Sequence, residues 1–161
     1  MKRQGGFTLI EMVVVIVILG ILAVTAAPRF LNLQDDARNS SLQGLKGAIN
    51  GAGGITYGKA AIEGQEGATG KINLPGGELD LIYGYPDATS AALALVVDGI
   101  GNTDEWKAFD AKADVGSKSI KYTFANQTVP NPIGDFNCYV QYSQATSAAG
   151  ATVTVPEDAC K

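Results

Sequence analysis

Residues 12–28 carry no charge, and valine, isoleucine and leucine fill most of them. No other feature of this chain limits its fold as tightly. A bilayer-crossing α-helix needs roughly 17–25 predominantly apolar residues. Residues 7–10 lengthen the stretch at its start, with one acid, Glu11, between. Lys2 and Arg3 precede it, which keeps the start cytoplasmic and sends the remainder of the chain outside. A carboxylate at the edge of hydrocarbon is costly, so Glu11 needs a physical reason to be there. An ordinary secretory signal fits in part, with a basic start, an apolar stretch and small residues Ala26 and Ala27. Two residues count against it: Glu11 interrupts the basic–apolar junction, and Pro28 would follow directly after a cut at Ala27. A plain transmembrane anchor fits the length.

The residues around Glu11 sharpen the reading. Gly5-Gly6-Phe7-Thr8-Leu9-Ile10-Glu11, followed at once by the apolar run, resembles the class III signal of type IV prepilins. The resemblance implies that a dedicated prepilin peptidase cuts between Gly6 and Phe7 and leaves the helix on the mature chain. It implies N-methylation of Phe7, which keeps the new amine cationic. It also implies that Glu11 of an incoming subunit pairs with the Phe7 amine of its neighbour. A free α-amine titrates at roughly pH 8, so it is mostly charged at neutral pH. Two opposite charges in an apolar filament core are unfavourable alone and tolerable as a pair. The bland alternative for Glu11 is an acid that favours the helix dipole and snorkels to the headgroups. The plain anchor is the stage a pilin occupies before assembly.

Gly20 and Pro28 bracket a weak helical segment. In a helix interior Gly costs about 1 kcal/mol and Pro about 3 relative to Ala. A kink is the simple reading, since membrane helices tolerate both residues. In type IV pilins the matching pair brackets a stretch that extends on entry into the filament, and the resemblance carries that expectation here.

Composition narrows the function class. The chain has 12 Lys and Arg against 16 Asp and Glu, a formal charge of −4, and no histidine. Loss of Lys2 and Arg3 with the leader takes the cations from 12 to 10 against 16 anions, a formal −6 before the new amine is counted. An acidic surface argues against nucleic acid, because phosphate contacts need clustered Lys and Arg. Without histidine the commonest general base and zinc ligand are missing, and no Ser-His-Asp arrangement exists. Nothing points to paired glycosidase carboxylates, so no enzyme and no cofactor are expected. Asp98, Asn102, Asp104 and Glu105 lack the spacing of an EF-hand loop, so they and Glu157–Asp158 read as solvated acids rather than a metal site. Cys138 and Cys160, an even pair in an exported domain, read as one disulfide. Trp106, Tyr83, Tyr85 and Tyr139 either form a sugar-binding platform or, as aromatics in a small sheet more often do, belong to the core.

Past residue 28 the pattern turns amphipathic. Leu42, Leu45, Ile49 and Ala52 share one helical face at i, i+3, i+7, i+10. Gly44, Gly47, Gly51 and Gly54 repeat that spacing on nearly the opposite face. Two readings stay open: the glycines let neighbouring helices approach closely, or they end the helix near Asn50. A helix from Phe7 to about Gly54 is roughly 70 Å long, more than a soluble domain of this size needs. Residues 59–77 read as a loop with a short strand near 71–74, and Gly84-Tyr85-Pro86 as a turn after a weakly alternating 78–85. Residues 88–98 read as a helix with Asp87 as N-cap, and 99–106 as loop or short helix. Strands are expected at 119–124, 136–142 and 151–155, with Asn131-Pro132 and Gly134-Asp135 turning between the first two.

The resulting fold class is α+β: a long N-terminal helix, half transmembrane and half amphipathic, packed on a C-terminal antiparallel sheet. The expected organisation is a leader at 1–6, a hydrophobic polymerisation helix at 7–28, its amphipathic half at 29–58 and a globular head at 59–161. Residues 6–28 resemble type IV pilins and the related pseudopilins of type II secretion. Phe7 and the short leader look like the type IVa class. The stretch Ala27-Pro-Arg-Phe-Leu-Asn-Leu-Gln-Asp-Asp-Ala-Arg38, with Leu42-Gln-Gly-Leu-Lys46, looks like the mannose-sensitive haemagglutinin (MSHA) pilins of marine bacteria. The Cys138…Cys160 pair also suits a pilin, whose disulfide-closed loop lies on the filament surface. Many type IVa pilins carry a second helix proline about twenty residues beyond the first; here glycines occupy that stretch. The resemblance implies the major subunit of a surface filament used for attachment and biofilm formation. Its partners would be other copies of the chain, the prepilin peptidase, the inner-membrane assembly machinery, the membrane before assembly, and a surface or glycan receptor. A type II secretion pseudopilin is the alternative. The inner membrane comes first, the cell surface after assembly.

Overall fold

The computed structural model describes residues 6–101, 105–114 and 117–161. Its first element, α1, spans Leu9–Ile62 without a break. The chain divides into two units, one ending at Ala37 and one running from Arg38 to Lys161.

In the first unit the large apolar side chains from Leu9 to Val24 are about half exposed or more. Leu9–Ala26 is long and apolar enough to cross a membrane by length and composition. Its one hydroxyl beyond Thr8 is satisfied internally: Thr25 Oγ1 donates to the Leu22 carbonyl at 3.0 Å. Such a back-bond spares an apolar helix an unpaired hydroxyl, which hydrocarbon would make expensive.

In the second unit the helix survives its glycines. Leu42, Leu45 and Ile49 are fully or almost fully buried, and Ala52 packs beside them. Burying a Leu or Ile contributes about 1.5–3 kcal/mol, which outweighs about 1 kcal/mol per glycine. The helix therefore passes Asn50 and ends twelve residues later, at Ile62, so residues 59–62 are helix rather than loop. Gly64, at φ +66°, closes it: its N–H donates to the Ala61 carbonyl and that of Gln65 to the Ala60 carbonyl, a Schellman cap.

Two antiparallel sheets follow. The first orders β1 (Gly70–Leu74), β2 (Gly77–Ile82) and β3 (Tyr85–Pro86). Ile72, Leu79 and Leu81 point inward and pack with Ala60 of α1. Tyr85 and Pro86 are thus strand, and the turn is Tyr83-Gly84. The helix α2 covers Ser90–Val96. Its cap is Thr89, whose Oγ1 accepts from Ala92 N–H at 3.2 Å, while Asp87 accepts from its neighbour Ala88 and pairs with Lys118 Nζ at 3.5 Å. The second sheet orders β4 (Trp106–Asp114), β5 (Ser117–Phe124), β6 (Val140–Ser143) and β7 (Thr152–Thr154). Alternation puts Ile120, Tyr122, Val140, Tyr142 and Val153 into one core with the α1 stripe. The strand β4 was not expected from the sequence. Its Lys107, Asp110, Lys112 and Asp114 break any apolar alternation, as edge strands often do, and its register shifts between Phe109 and Lys112. The strand expected at 136–142 shortens to β6, because 125–139 is a long connection through Asn131-Pro132, a cis bond.

Candidate functional site

The first turn of α1 is built by a reciprocal cap that the sequence reading passed over. Thr8 N–H and Thr8 Oγ1 each donate to Glu11 Oε2 at 2.7 Å, and Glu11 N–H donates back to Thr8 Oγ1 at 3.4 Å. Thr-x-x-Glu is the capping-box pattern, so the signal was present in the sequence. In the single chain the Glu11 carboxylate is thus held by its own helix start. Gly6 is exposed with open space around it, and Phe7 is 82% exposed. Both residues of the Gly6–Phe7 bond are therefore exposed. Gly20 likewise faces open space, and Pro28 lies within the continuous α1. Lys2 and Arg3 lie outside the described residues.

The glycine face of α1 is open. A Cβ at Gly44, Gly47, Gly51 or Gly54 would meet nothing within 4 Å, and Ile55 and Ile62 are 77% and 89% exposed. The helix thus carries one buried apolar face and one uncovered small-residue face.

At the other end of the chain Cys138 and Cys160 form a disulfide closing a loop with a sequence separation of 22. The loop is anchored beside the bridge. Thr123 Oγ1, fully buried, donates to the Cys138 carbonyl at 2.6 Å, and Asn137 Nδ2 donates to the Asp158 carbonyl at 2.6 Å.

The four aromatics singled out as a platform do not come together. Trp106 stacks on Phe124, and Tyr139 sits with Phe109 and Phe136 under Lys121 Nζ. Tyr83 and Tyr85 share a cleft with Tyr57, which was not among the four. Of the residues weighed as calcium ligands, Asn102 and Asp104 lie outside the described residues. No group of three or more metal-ligating side chains occurs among the described residues. Elsewhere Glu78 and then Asp80 hold the exposed Lys71 ammonium above its ordinary pKa, with Nζ 2.5 and 3.4 Å from their oxygens. Burial lifts the phenols of Tyr122 and Tyr142 above theirs, and nearby Asp87 adds to the lift at Tyr142.

Comparison with known proteins bears on the N-terminal part of the chain. Residues 1–27 match the prokaryotic N-terminal methylation motif. The chain is 46% identical over 50 residues to the major component of the type IV narrow pilus of Thermus thermophilus, covering 31% of this chain and 43% of that protein. It is 35% identical over 78 residues to the type IV major alpha-pilin of Moraxella bovis, covering 46% and 48%. It is 45% identical over 51 residues to core protein G of the type II secretion system of Pseudomonas aeruginosa, covering 32% and 36%. The chain thus spans less than half the length of the curated relatives it matches. No solved structure matches it. Motif and relatives support a type IV pilin, and a pilin or pseudopilin role, while the long apolar helix followed by antiparallel sheet is the α+β arrangement of that fold. The pilin relatives are structural subunits, not enzymes.

Proposed function

We propose that this chain is the major subunit of a type IV pilus of the MSHA kind, used for attachment to surfaces and biofilm formation. One observation carries most of the reading: an N-terminal methylation motif leads directly into an exposed helix, Leu9–Ala26, with too much apolar surface to remain in water. A bilayer covers that surface before assembly, and neighbouring copies cover it in a filament. In this reading the prepilin peptidase cuts the exposed Gly6–Phe7 bond, Phe7 is N-methylated, and the inner-membrane machinery adds the subunit to the growing fibre. Glu11 then exchanges its Thr8 contacts for, or adds to them, the Phe7 amine of a neighbour. Residues 7–28 polymerise, 29–58 lead into the head, and 59–161 form its surface with the disulfide-closed loop. The similarity to core protein G favours a second reading, a pseudopilin in a short periplasmic pseudopilus.

The deciding experiment is the intact mass of protein sheared from the cell surface. The pilus reading expects residues 7–161, one methyl heavier and two hydrogens lighter. That species found in membranes and never in the sheared fraction transfers the case to the pseudopilin. A mass beginning near residue 27 or 28 overturns both.

A further inference from the structure

We infer that the Cys138–Cys160 bridge is a thiol-exchange site with a fixed polarity: an external thiolate enters at Cys160 Sγ, and Cys138 Sγ is the sulfur that leaves. The groups involved all belong to the second unit, and none lies in the polymerising helix 7–28.

Access differs between the two ends of the bridge. Displacement at a disulfide sulfur needs the nucleophile in line with the S–S bond, on the side away from the leaving sulfur. Cys138 is 4% exposed and belongs to the core that Ile120, Val140 and Tyr142 share with α1. Cys160 is half-buried and packs against that core. A line through the bridge beyond Cys138 therefore runs into packed side chains, and beyond Cys160 it runs outward. A thiolate reaches Cys160 Sγ without opening the core and cannot reach Cys138 Sγ that way.

The leaving sulfur is prepared. Gln127 Nε2 donates to Cys138 Sγ at 3.7 Å. Sulfur is a weak acceptor while neutral and a stronger one as a thiolate, so this contact gains as charge develops on Cys138. The donor is fixed in place. Gln127 N–H donates to the Phe124 carbonyl at 3.0 Å, and the Gln127 carbonyl accepts from Lys107 Nζ. Thr123 Oγ1 holds the Cys138 carbonyl, so Cys138 stays where it is when the bridge opens.

The entry end carries strain and a tether. Cys160 has φ +67°, in the left-handed region that a non-glycine residue occupies at a cost, and opening the bridge frees its backbone to relax. Ala159 is fully buried and Asn137 Nδ2 holds the Asp158 carbonyl, so the segment remains beside Cys138 and the bridge can close again. In the step itself the external sulfur bonds to Cys160 Sγ, and the Cys160–Cys138 S–S bond breaks. Cys138 Sγ departs with the electron pair as a thiolate and takes a proton from water. The product is a mixed disulfide on Cys160 and a free thiol at Cys138. Closure reverses the step: the Cys138 thiolate attacks Cys160 Sγ and expels the external thiolate.

The test treats the oxidised full chain in dodecyl maltoside micelles with β-mercaptoethanol, an uncharged thiol, at about pH 8, where part of it is thiolate. N-Ethylmaleimide stops the reaction at early times. Mass spectrometry of chymotryptic peptides, cut at Tyr139 or Tyr142, then locates the mixed disulfide, and Trp106 fluorescence of the same samples reports whether the unit is folded. Cys160 is expected to carry the adduct at least about fivefold over Cys138 in the folded protein. Gln127→Leu, which removes the donor, should slow opening about threefold, and Gln127→Glu, which sets a carboxylate beside the departing thiolate, should slow it further. Gln43→Leu, on the exposed surface of α1, should leave rate and position unchanged. Adduct mainly on Cys138, equal adduct on both, a rate indifferent to Gln127, or adduct that forms only as Trp106 reports unfolding overturns the proposal.

Discussion

Two residues near the start of the chain and two in the core show how the same group acts differently in different surroundings. Glu11 already accepts two hydrogen bonds from Thr8 in the single chain, so its place at the helix start is stabilised locally. Local capping alone would make Glu11→Ala a small stability change confined to the first turn. The intersubunit reading demands more. Glu11→Ala should give a processed, membrane-held protein that forms few or no filaments, counted by electron microscopy; normal filament numbers would refute the pairing. In the core, Tyr142 Oη donates to the Pro86 carbonyl at 2.6 Å and ties β6 to β3, whereas Tyr122 Oη is buried with no partner among the described residues. Removing a partnered hydroxyl strands a buried acceptor at a cost of about 1–3 kcal/mol, and removing an unpartnered one costs nothing. Tyr142→Phe should therefore lower stability by about 1–3 kcal/mol, and Tyr122→Phe should leave or raise it, both read from denaturant midpoints. Burial raises both phenol pKa values in the folded state. Their contribution is whole below the unfolded value of about 10 and is lost as pH rises above it, because only the unfolded chain then releases the protons. The second unit should lose stability above about pH 10, with a shallower slope in Tyr122→Phe.

At the scale of elements, α1 combines a well-supported half with a weak one. Its buried stripe was legible because Leu42, Leu45 and Ile49 repeat at helical spacing; where the helix stops was not. Four glycines within one face read equally as a helix end or a contact surface. Only the burial of the opposite face carries the helix past them to the Gly64 cap. Between Gly20 and Pro28, residues 20–25 are exposed in the single chain and gain no such support. Pro28 offers no N–H to the Val24 carbonyl, and Gly20 adds about 1 kcal/mol of its own. The helix is continuous there, which makes an order change on assembly measurable. A filament map should show the backbone extended between residues 20 and 28, and unbroken helix would refute that expectation. Among the strands, β5 and β7 announced themselves by β-branched alternation. The edge strand β4 did not, since its charged residues suit solvent and its pairing with β5 supplies the order.

At the scale of the whole molecule, the second unit has two sheets joined to one helix and a C-terminal loop held by a single bridge. Closing a loop of this length contributes about 3 kcal/mol in the chain-entropy model. Replacing Cys138 and Cys160 by serine should lower stability by about that amount and expose the loop to protease, measured by thermal unfolding and limited proteolysis of the full chain in micelles. The chain's order of apolar, amphipathic and alternating segments determined by itself a membrane-grade helix, an amphipathic continuation, an α+β class and a paired cysteine, because each depends on residue type at fixed local spacing. The tertiary structure decided what depends on distant partners. It split the strands into two sheets, set the end of α1, moved the α2 cap from Asp87 to Thr89, and separated Trp106 and Tyr139 from the cleft where Tyr57 joins Tyr83 and Tyr85. Local periodicity records which face of a segment seeks cover. It holds no record of which other segment, tens of residues away, provides that cover, and that is settled only by packing.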